Sequence, residues 1–426
     1  MNIWLVTIGE PVPTLDARAD RLHRTGFLAH FLAEHGHDVV WWTSTFNHFS
    51  KKHLYRCDTD VQINDQLRIK LLHGCGYKSN ISIARFKDHN QIAKKFKKLA
   101  LKQTKQPDII VAALPTIELC LEVVRYCKTT GVPSVLDMRD MWPDIFIDSV
   151  PKILRPIAGL FLGSMFRSAY VACSGATALT GITDAFVDWG LKRGKRLKSD
   201  IDKAFHMGYI TAAPNQKKIT IAEKYWNGKG INPSKNEFIV CFFGTIGRQF
   251  DMDTVIRTAR KLEKQRKTVR FVICGTGDRL EYYKKQAAGV SNLIFPGWVD
   301  AAQIYVLMRW AAVGLDPLID RYDFLATINN KAIEYMSAGL PIISSPDRGV
   351  LCDLLSRHKC GVSYPQGDAD TLSDILIKTH DDLDMLHEMS KKSIQLFNEQ
   401  FTAEKVYGEM MAHLVKIAEK GKVGRA

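Results

Sequence analysis

The chain has 426 residues, of which 46% are hydrophobic and 24% are charged, so its composition is globular and excludes a mainly disordered or fibrous protein. This length predicts two or three domains. The net charge of +14, densest in residues 85–105 and 192–198, favours anionic partners such as nucleic acid, anionic lipid or a phosphorylated substrate. The nine cysteines form no C-x-x-C pair and mostly lie in apolar runs, which predicts reduced thiols in a cytoplasmic protein.

Strands and helices alternate along the first half of the chain. Short apolar runs predict buried strands, and apolar residues at helical spacing predict helices between them. The predicted strands lie at residues 3–8, 39–42, 69–72, 109–114, 135–137 and 171–174, and the predicted helices at 25–35, 91–102 and 117–129. This alternation indicates a parallel sheet with helices on both faces.

Between residues 206 and 237 the alternation stops, and glycines, prolines and scattered lysines predict an interdomain linker. The pattern then restarts. The predicted strands lie at 238–243, 270–274, 293–295, 313–315 and 342–344, and the predicted helices at 254–263, 301–310, 330–338 and 402–419. The second half therefore repeats the architecture of the first.

The sequence thus predicts an α/β protein made of two Rossmann-like, doubly wound parallel-sheet domains in tandem. We place the N-terminal domain at residues 1–210, the linker at 211–236 and the C-terminal domain at 237–401, and the helix at 402–419 could pack back on the first domain. Ligands of such domains bind beyond the carboxyl ends of the parallel strands. We therefore expect one cleft between the domains, with a binding site on each wall.

The segment at residues 327–345 contains the clearest set of candidate functional residues. Asn329 or Asn330 can cap a helix there, and the unpaired N–H groups of its first turn form an anion site together with the helix dipole. Lys331 adds a full positive charge to that turn. Glu334 lies about one turn further on the same face, where its carboxylate can accept hydrogen bonds from paired sugar hydroxyls. On the pattern alone, a capped amphipathic helix with solvated Lys331 and Glu334 explains the segment equally well.

This segment resembles the donor-site signature of family 4 glycosyltransferases, retaining enzymes with the two-domain GT-B fold, and is similar to bacterial members that build O-antigen or capsule polysaccharide. The signature is roughly K-x-x-E-Y-x-A-x-G-x-P-[VI]-[IV], and the matching residues are Lys331, Glu334, Tyr335, Met336, Ala338, Gly339, Pro341, Ile342 and Ile343. The resemblance implies that Glu334 binds the ribose of a nucleotide sugar and that the helix start faces its diphosphate. The family often has a second glutamate eight residues earlier, and because Ala326 stands there the E-x7-E pair is incomplete.

Three further segments extend the resemblance to the loops of the donor domain. Residues 242–248 resemble the strand and glycine turn that open this domain, where Arg248 could neutralise a phosphate because Phe250-Asp251 replaces the family's usual Lys-Gly. Residues 271–277 resemble the next strand and glycine turn, and residues 293–299 resemble the loop whose backbone reads the base. Without the resemblance, an ordinary loop arginine, a tight turn and a core tryptophan explain these segments.

The resemblance therefore implies a set of donor-site residues. Arg248, Lys331 and Glu334 would act in catalysis. The donor would be bound by Gly244, Thr245, Gly275, Thr276, Trp298, Val299, Thr327, Ile328, Asn329 and Asn330.

The first domain resembles the family at three places. Residues 24–29 and 36–39 are similar to its first helix and second strand, and residues 135–143 are similar to a strand-end motif of membrane-linked polysaccharide glycosyltransferases. The resemblance implies that Asp140 holds an acceptor hydroxyl, although Asp140 could equally cap the following turn. The acceptor-side residues implied in this way are Gly9, Glu10, Arg24, Arg139 and Asp140.

The function that the resemblance implies is metal-independent, retaining transfer of a sugar from a nucleotide diphosphate sugar, by family habit UDP-linked, to a hydroxyl of a glycan or lipid-linked acceptor in cell-surface polysaccharide synthesis. No cofactor is expected beyond the donor, and no metal site, because the D-x-D pairs Asp58/Asp60 and Asp251/Asp253 do not convincingly follow buried strands. A nucleotide-sugar 2-epimerase of the same fold is the alternative enzyme. A nucleic-acid-binding protein is the non-enzymatic alternative, but we expect no nucleic-acid partner because the basic runs lack interleaved aromatic residues.

We also expect the first domain to attach peripherally to the anionic inner face of the cell membrane. The predicted helix at 91–102 combines an apolar face with five lysines, and residues 156–166 are apolar and uncharged. The longest uncharged stretch, between Arg167 and Asp184, has 16 residues and is too short to span a bilayer as a helix. The alternative is that the helix at 91–102 packs its apolar face on the core and that residues 156–166 form a buried helix.

Overall fold

Two compact units are formed by the residues that the computed structural model describes, which are 1–13, 22–80, 82–148, 150–232 and 237–423. The first unit contains the chain up to Gly208 and again from Ala403 onward, and the second unit runs from Tyr209 to Thr402. Each unit is built on one largely parallel sheet with intervening helices. The α/β fold class predicted from the sequence is therefore confirmed.

Strands and helices alternate in the first unit. Its strands are β1 (Asn2–Val6), β2 (Asp38–Ser44), β3 (Phe46–Asn47), β4 (Lys52–His53), β5 (Thr59–Asn64), β6 (Leu67–Leu72), β7 (Ile109–Ala113), β8 (Ser134–Met138), β9 (Ala178–Gly181) and β10 (Lys203–Ala204). Its helices before Gly208 are α1 (Arg24–Glu34), α2 (Ile83–Ala100), α3 (Ile117–Thr130), α4 (Asp144–Asp148), a 3-10 helix (Lys152–Leu154), α5 (Arg155–Phe161), α6 (Gly163–Gly175) and α7 (Asp184–Gly194).

The strands of the first unit form one sheet and one hairpin. The sheet has the order β10-β9-β8-β7-β1-β2-β6-β5, in which β5 is antiparallel to β6 and the other neighbours are parallel. Strands β3 and β4 form the separate hairpin. Every residue of β1, β7 and β8 is buried, as is typical of central parallel strands whose two faces are both covered.

The second unit repeats this alternation around a parallel sheet. Its strands are β11 (Phe238–Phe243), β12 (Val269–Cys274), β13 (Leu293–Gly297), β14 (Val313–Pro317), β15 (Ile342–Ser345) and β16 (Gly361–Ser363), in the sheet order β13-β12-β11-β14-β15-β16. Its helices are α8 (Gln216–Gly228), α9 (Met252–Lys264), α10 (Leu280–Gln286), α11 (Ala301–Trp310), α12 (Tyr322–Leu325), α13 (Asn330–Ser337), α14 (Val350–His358), α15 (Ala369–Asp381) and α16 (Leu383–Gln400).

The last helix, α17 (Ala403–Val423), belongs to the first unit. Its buried residues Tyr407, Met410 and Leu414 share a core cluster with Leu28 of α1 and with strands of the first sheet. The first unit is therefore assembled from both ends of the described chain.

The predicted strand at residues 171–174 is wrong, because these residues belong to α6 and the strand β9 follows them. The buried residues of α6 are Met165, Ala169, Ala172 and Cys173, which recur at helical spacing. Three apolar residues, Val171, Ala172 and Cys173, are too few to distinguish a strand from a buried helix, and the burial pattern on both sides is helical.

The segment at residues 211–236, predicted as a linker, contains α8. Ala222 and Trp226 of this helix are buried, and the Trp226 indole N–H donates to the carbonyl of Gln303 at 2.8 Å. The apolar face of α8 thus packs within the second unit in spite of a composition typical of linkers. Residues 233–236 lie outside the described part of the chain.

No helix of the described residues is by itself both long and apolar enough to cross a membrane. One bent pair of helices, Lys152–Phe161 and Gly163–Gly175, meets the criterion jointly by length and composition, with an angle of 69° between its members.

Candidate functional site

In the second unit, the loops that follow β11, β12 and β13 are joined by backbone hydrogen bonds. The Gly244 N–H donates to the carbonyl of Cys274 at 3.1 Å, and the Gly275 N–H donates to the carbonyl of Gly297 at 2.7 Å. The loops therefore form one preorganised surface at the carboxyl edge of the sheet, where proteins of this class bind ligands.

Glycine is required where these loops approach each other. A Cβ atom on Gly275 would lie 1.8 Å from the carbonyl oxygen of Gly244, and one on Gly277 would lie 2.1 Å from the carbonyl oxygen of Ile246. Gly244 is different, because its Cβ position has only ordinary contacts and the residue is exposed. Glycine is therefore needed at Gly275 and Gly277 because the loops pack closely there, whereas the backbone of Gly244 is accessible to a ligand.

Helix α13 begins at the same edge of the sheet. Asn329 caps it: its side-chain oxygen accepts a hydrogen bond from the Ala332 N–H at 3.0 Å, and its side-chain amide donates to Asp316. Ile333 is the first residue whose N–H bonds to the carbonyl four residues earlier, so the amides before it precede the intrahelical ladder. The structure contains the capped helix start that the sequence predicts.

The ammonium group of Lys331 is held by one carboxylate and two aromatic rings. Its Nζ atom lies 3.3 Å from Oδ1 of Asp316, and 4.2 Å and 5.1 Å from the ring centroids of Phe250 and Phe242. It also lies 4.0 Å from the position that a Cβ atom on Gly244 would take. The Lys331 side chain is 11% exposed and Asp316 is fully buried, so the cation is largely desolvated and fixed beside the exposed glycine.

Glu334 is buried on α13, with 4% of the residue exposed. The next residue, Tyr335, ties the helix to the sheet, because its hydroxyl donates to the carbonyl oxygens of Cys241 and Leu315, each at 3.2 Å. Burial raises the pKa of Tyr335 well above its ordinary value, which keeps the hydroxyl a donor. The burial of Lys331 and Glu334 contradicts the alternative in which both are solvated.

Asp316 is the residue of this site that the sequence analysis missed. Its Oδ2 atom accepts a hydrogen bond from Asn329, and its Oδ1 atom, which faces Lys331, has no hydrogen-bond partner among the described residues. A carboxylate inside the otherwise apolar strand β14 is the signal that could have identified it, because a buried charge needs a partner.

The other predicted donor-site residues are divided between exposed and buried positions. The exposed residues are Gly244, Thr245, Arg248, Thr276, Trp298 and Asn330. The buried or half-buried residues are Gly275, Val299, Thr327, Ile328 and Asn329. Trp298 is 71% exposed, which contradicts the alternative of a core tryptophan. Arg248 makes no hydrogen bond or ion pair with any described residue, so its contact with a phosphate stays a prediction.

In the first unit, the predicted acceptor-side residues Glu10, Arg24 and Arg139 meet around Asp137 near the end of β8. Arg24 donates from Nε and Nη2 to the Asp137 carboxylate at 2.9 and 3.2 Å, and Arg139 donates from Nε to it at 2.6 Å. Arg139 also donates from Nη1 to Glu10 and to the hydroxyl of Thr25. The network is buried, since the side chains of Asp137 and Arg24 are 0% and 1% exposed.

Asp137 is ionised in this network. Burial raises the pKa of its carboxyl, but the two guanidinium groups outweigh burial and hold the pKa well below its ordinary value. Arg24 is engaged further, because it donates to the carbonyl of His206 at 2.6 Å. These groups bind one another in the structure, and acceptor contacts by Glu10, Arg24 and Arg139 stay predictions.

Gly9 and Asp140 complete the predicted acceptor side. Gly9 follows β1 with a φ of +88°, a conformation that glycine adopts without strain, and nothing lies within 4 Å of its Cβ position. Asp140 follows β8, and its Oδ1 atom accepts a hydrogen bond from the Met141 N–H at 2.8 Å. This bond matches the turn-capping alternative and leaves the acceptor role a prediction.

Three of the four aspartates in the D-x-D pairs have partners of their own. Asp58 and Asp60 pair with Lys95 and Lys70 at 2.6 and 2.5 Å, and Asp251 caps α9. Within the described ranges, no three His, Cys, Asp or Glu side chains are grouped so that they could hold a metal ion.

The sequence of the second unit matches a known family. Residues 237–382 match the family model described as glycosyl transferases group 1. No curated protein matches the chain significantly.

The structure is similar to solved proteins over nearly its whole length. Sucrose-phosphate synthase from Thermosynechococcus elongatus matches with a TM-score of 0.70 at 15% identity, over 98% of each chain. HepE from Anabaena, solved in complex with UDP, matches with a TM-score of 0.66 at 13% identity, over 97% of this chain and 99% of that one. WaaG, a glycosyltransferase involved in lipopolysaccharide biosynthesis, matches with a TM-score of 0.62 at 13% identity, over 96% and 98% of the two chains. The chain therefore has the GT-B fold, and residues 237–382 of its second unit are similar to the group 1 glycosyltransferases.

Proposed function

We propose that this protein is a retaining, metal-independent family 4 glycosyltransferase that moves a sugar from a nucleotide diphosphate sugar to a hydroxyl of a glycan or lipid-linked acceptor in cell-surface polysaccharide synthesis. The observation that carries the proposal is the Lys331 ammonium, fixed by Asp316 beside the exposed Gly244. In the reaction, the bond from the anomeric carbon to the diphosphate oxygen breaks. The bond to the acceptor oxygen forms on the same face of the sugar, and the hydroxyl proton is released.

The leaving diphosphate needs stabilisation because it gains negative charge as the bond breaks. Lys331 and the first amides of α13 supply positive charge at fixed positions, so little reorganisation is needed at the moment of reaction. Arg248 has no competing partner among the described residues and is exposed on the loop after β11. We propose that it joins Lys331 on the diphosphate, and that Glu334 accepts hydrogen bonds from the ribose.

The proposed donor is UDP-linked. HepE has been solved in complex with UDP and with UDP-glucose, and the present chain shares its fold over 97% and 98% of its length in those two comparisons. A thermal-shift series with UDP, GDP, ADP and CDP tests the base directly, since a ligand that binds only the folded state raises the melting temperature. We expect the largest rise with UDP and a smaller one in Lys331→Ala. No rise with any nucleoside diphosphate would contradict the donor site.

Product analysis separates transfer from its enzymatic alternative. With a nucleotide sugar and extracts of acceptor glycans or glycolipids, we expect release of nucleoside diphosphate with the sugar bound to the acceptor. A 2-epimerase would instead convert the sugar without needing an acceptor. We expect the same rate with and without a chelator, and loss of activity in EDTA would point to a bound metal.

The proposal includes peripheral attachment of the first unit to the inner face of the cell membrane. Support comes from five large apolar side chains that are between 47% and 85% exposed: Ile153, Leu154, Ile157, Leu160 and Phe161. An apolar surface of this kind favours contact with another apolar phase. This exposure also contradicts the alternative in which residues 156–166 form a buried helix.

The helix predicted at 91–102 does not contribute an apolar face to this surface. Residues 91–100 form the second half of α2, which ends at Ala100, and Ile92 and Phe96 are fully buried in the first unit. Lys95 and Lys97 each pair with a carboxylate, at 2.6 and 3.6 Å. The expectation that this helix carries an apolar membrane face is wrong, because burial of that face in the core is the stronger interaction.

Vesicle flotation tests the membrane part of the proposal. We expect the wild type to float with phosphatidylglycerol vesicles. Leu160→Ser/Phe161→Ser should weaken binding at least about tenfold, because burying one large apolar side chain contributes roughly 1.5–3 kcal/mol. The matched control is Ile221→Ser/Leu383→Ser, which removes two exposed apolar side chains from the second unit. Equal flotation of all three proteins, or of none, would contradict the assignment.

A further inference from the structure

Two cations of the first unit converge at the carboxyl edge of its sheet. Lys51 lies in the turn between β3 and β4, after β2, and Arg85 lies in the first turn of α2, after β6. The Lys51 Nζ atom donates to the side-chain oxygen of Asn80, and the Arg85 Nη1 atom donates to the carbonyl of the same residue at 2.8 Å. Their charged groups lie 4.9 and 5.5 Å from the ring centroid of Tyr77. One asparagine and one ring thus hold both cations together.

Among the described residues, neither Lys51 nor Arg85 has an ion-pair partner. No carboxylate oxygen of a described residue lies within 4.0 Å of the charged nitrogens of Lys51 or Arg85, in contrast to Arg24 and Arg139 in the same unit. Burial and the charge of Arg85 lower the pKa of Lys51. Burial lowers the pKa of Arg85, although Tyr77, Asp140 and Glu118 act in the opposite direction. The two positive charges therefore share Asn80 and the Tyr77 ring, and no carboxylate of the described ranges is in contact with either of them.

Aromatic and histidine side chains surround Arg85 on the side of Trp142 and His89. The guanidinium of Arg85 lies 4.6 Å from the ring centroid of Trp142, and its Nε atom lies 3.4 Å from Nε2 of His89. His89 is 1% exposed, and its Nδ1 atom has no hydrogen-bond partner among the described residues. Burial, Lys51 and Arg85 lower the pKa of the neighbouring His48 to about 4, which keeps this imidazole neutral at pH 7. Because His48 is neutral, it adds no positive charge to that of Lys51 and Arg85.

We propose that Lys51 and Arg85 form an anion site that takes a phosphate or diphosphate group of the acceptor substrate. The planar fork of arginine and the mobile ammonium of lysine are the two side chains that bind phosphate oxygens best. Burial lowers the pKa of Arg85, and the carboxylate of Asp140, the predicted partner of the acceptor hydroxyl, is among the groups that act to raise it. The assignment to an acceptor rests on the proposed glycosyl transfer, whereas the anion site itself does not.

Lysine acylation followed by peptide mass spectrometry tests the site without any assay of transfer. Unprotonated lysine is the reactive form, so a lowered pKa makes Lys51 react faster than the exposed Lys52 and Lys98. Inorganic pyrophosphate should slow Lys51 about tenfold, because a nearby opposite charge raises a lysine pKa by roughly one unit. Lys98 should not respond. Pyrophosphate bound in the second unit does not interfere, because the readout is Lys51 itself.

Two variants and one alternative ligand decide the outcome. Protection should be lost in Arg85→Gln and kept in Arg68→Gln, a matched exposed arginine of the same unit, with circular dichroism as the check on folding. Phosphatidylglycerol vesicles present the same phosphate chemistry from a lipid headgroup, and they should protect Lys51 less than pyrophosphate does. Protection by vesicles alone would make the site a membrane contact and overturn the acceptor assignment. Equal labelling with and without pyrophosphate at matched ionic strength would overturn the anion site.

Discussion

Two buried aspartates occupy the same place in the two sheets. Asp137 is the fourth residue of β8 and Asp316 is the fourth residue of β14, and both side chains are 0% exposed. Both oxygens of Asp137 accept hydrogen bonds, from two arginines and from the hydroxyl of Thr180. Asp316 accepts one hydrogen bond, from Asn329, and its other oxygen faces Lys331 at 3.3 Å without a hydrogen bond.

This difference distinguishes a buried network that stabilises the fold from a site that can bind a ligand. A saturated buried network fixes the fold, and its members have little capacity left for a ligand. A buried carboxylate with one unsatisfied oxygen orients its cation while leaving that cation able to bind a further anion. On this reasoning we infer that Asp137 stabilises the first unit, and we propose that Asp316 positions Lys331 for the donor diphosphate.

Replacement of Asp137 should have the largest effect on the fold. Asp137→Ala leaves the buried guanidinium of Arg24 without a carboxylate partner and Arg139 with Glu10 alone, and we expect the free energy of unfolding to fall by about 3–5 kcal/mol. Urea unfolding followed by circular dichroism measures it. The control is Asp60→Ala, which breaks the partly exposed pair with Lys70 and should cost less than about 1 kcal/mol. Equal free energies of unfolding for the two variants would contradict the stabilising role of Asp137.

Replacement of Glu334 should have the largest effect on activity. Glu334→Ala removes two proposed hydrogen bonds to the ribose, and charge-assisted bonds contribute about 1.5–3 kcal/mol each, so kcat/KM should fall at least about 100-fold. Release of nucleoside diphosphate measures it. Glu281→Ala, on the exposed side of α10, is the control and should be unchanged. Near-normal turnover by a folded Glu334→Ala protein would reject the assignment.

The Lys331 and Asp316 pair can be dissected by a double variant. Lys331→Met should lower kcat about 100-fold, as loss of one preorganised charge typically does, and should also destabilise the second unit because Asp316 loses its cation. Lys331→Met/Asp316→Asn should recover the stability and not the rate. Recovery of kcat in the double variant, or a change confined to KM in the single one, would contradict the catalytic role.

Arg248→Ala should give the smallest effect of the four. We expect kcat to fall about tenfold, because an exposed cation is screened by solvent, while stability stays unchanged. Arg357→Ala, an exposed arginine of α14, is the control. Equal rates for the two variants would contradict the proposed role of Arg248. The positive charge of Lys331 and of the helix start would then be sufficient to stabilise the leaving diphosphate.

The strands of the second unit were predictable because their chemistry is local. Residues 238–243 form an unbroken apolar run, and β11 covers the same residues. The helix start at Asn329 and Lys331 was predictable for the same reason, since a cap and its helix are adjacent in sequence.

The ion networks were not predictable, because they join distant residues. Arg24 and Asp137 are 113 residues apart, and no local pattern indicates that a helix and a strand end will bring them together. Lys51 and Arg85 come from a hairpin turn and a helix start, and only the fold shows that they share Asn80. The prediction of a strand at 171–174 was wrong for a different reason. A local apolar signal is present there, but it fits both a strand and a helix.

The position of α17 sets an order in which the molecule can be completed during synthesis. The second unit is one continuous stretch, and all of it is synthesised before Ala403, the first residue of α17. The first unit is begun earlier, but the core cluster that includes Leu28 stays open until Tyr407, Met410 and Leu414 arrive. The nascent first unit therefore keeps part of its apolar surface uncovered while nearly two hundred later residues are synthesised.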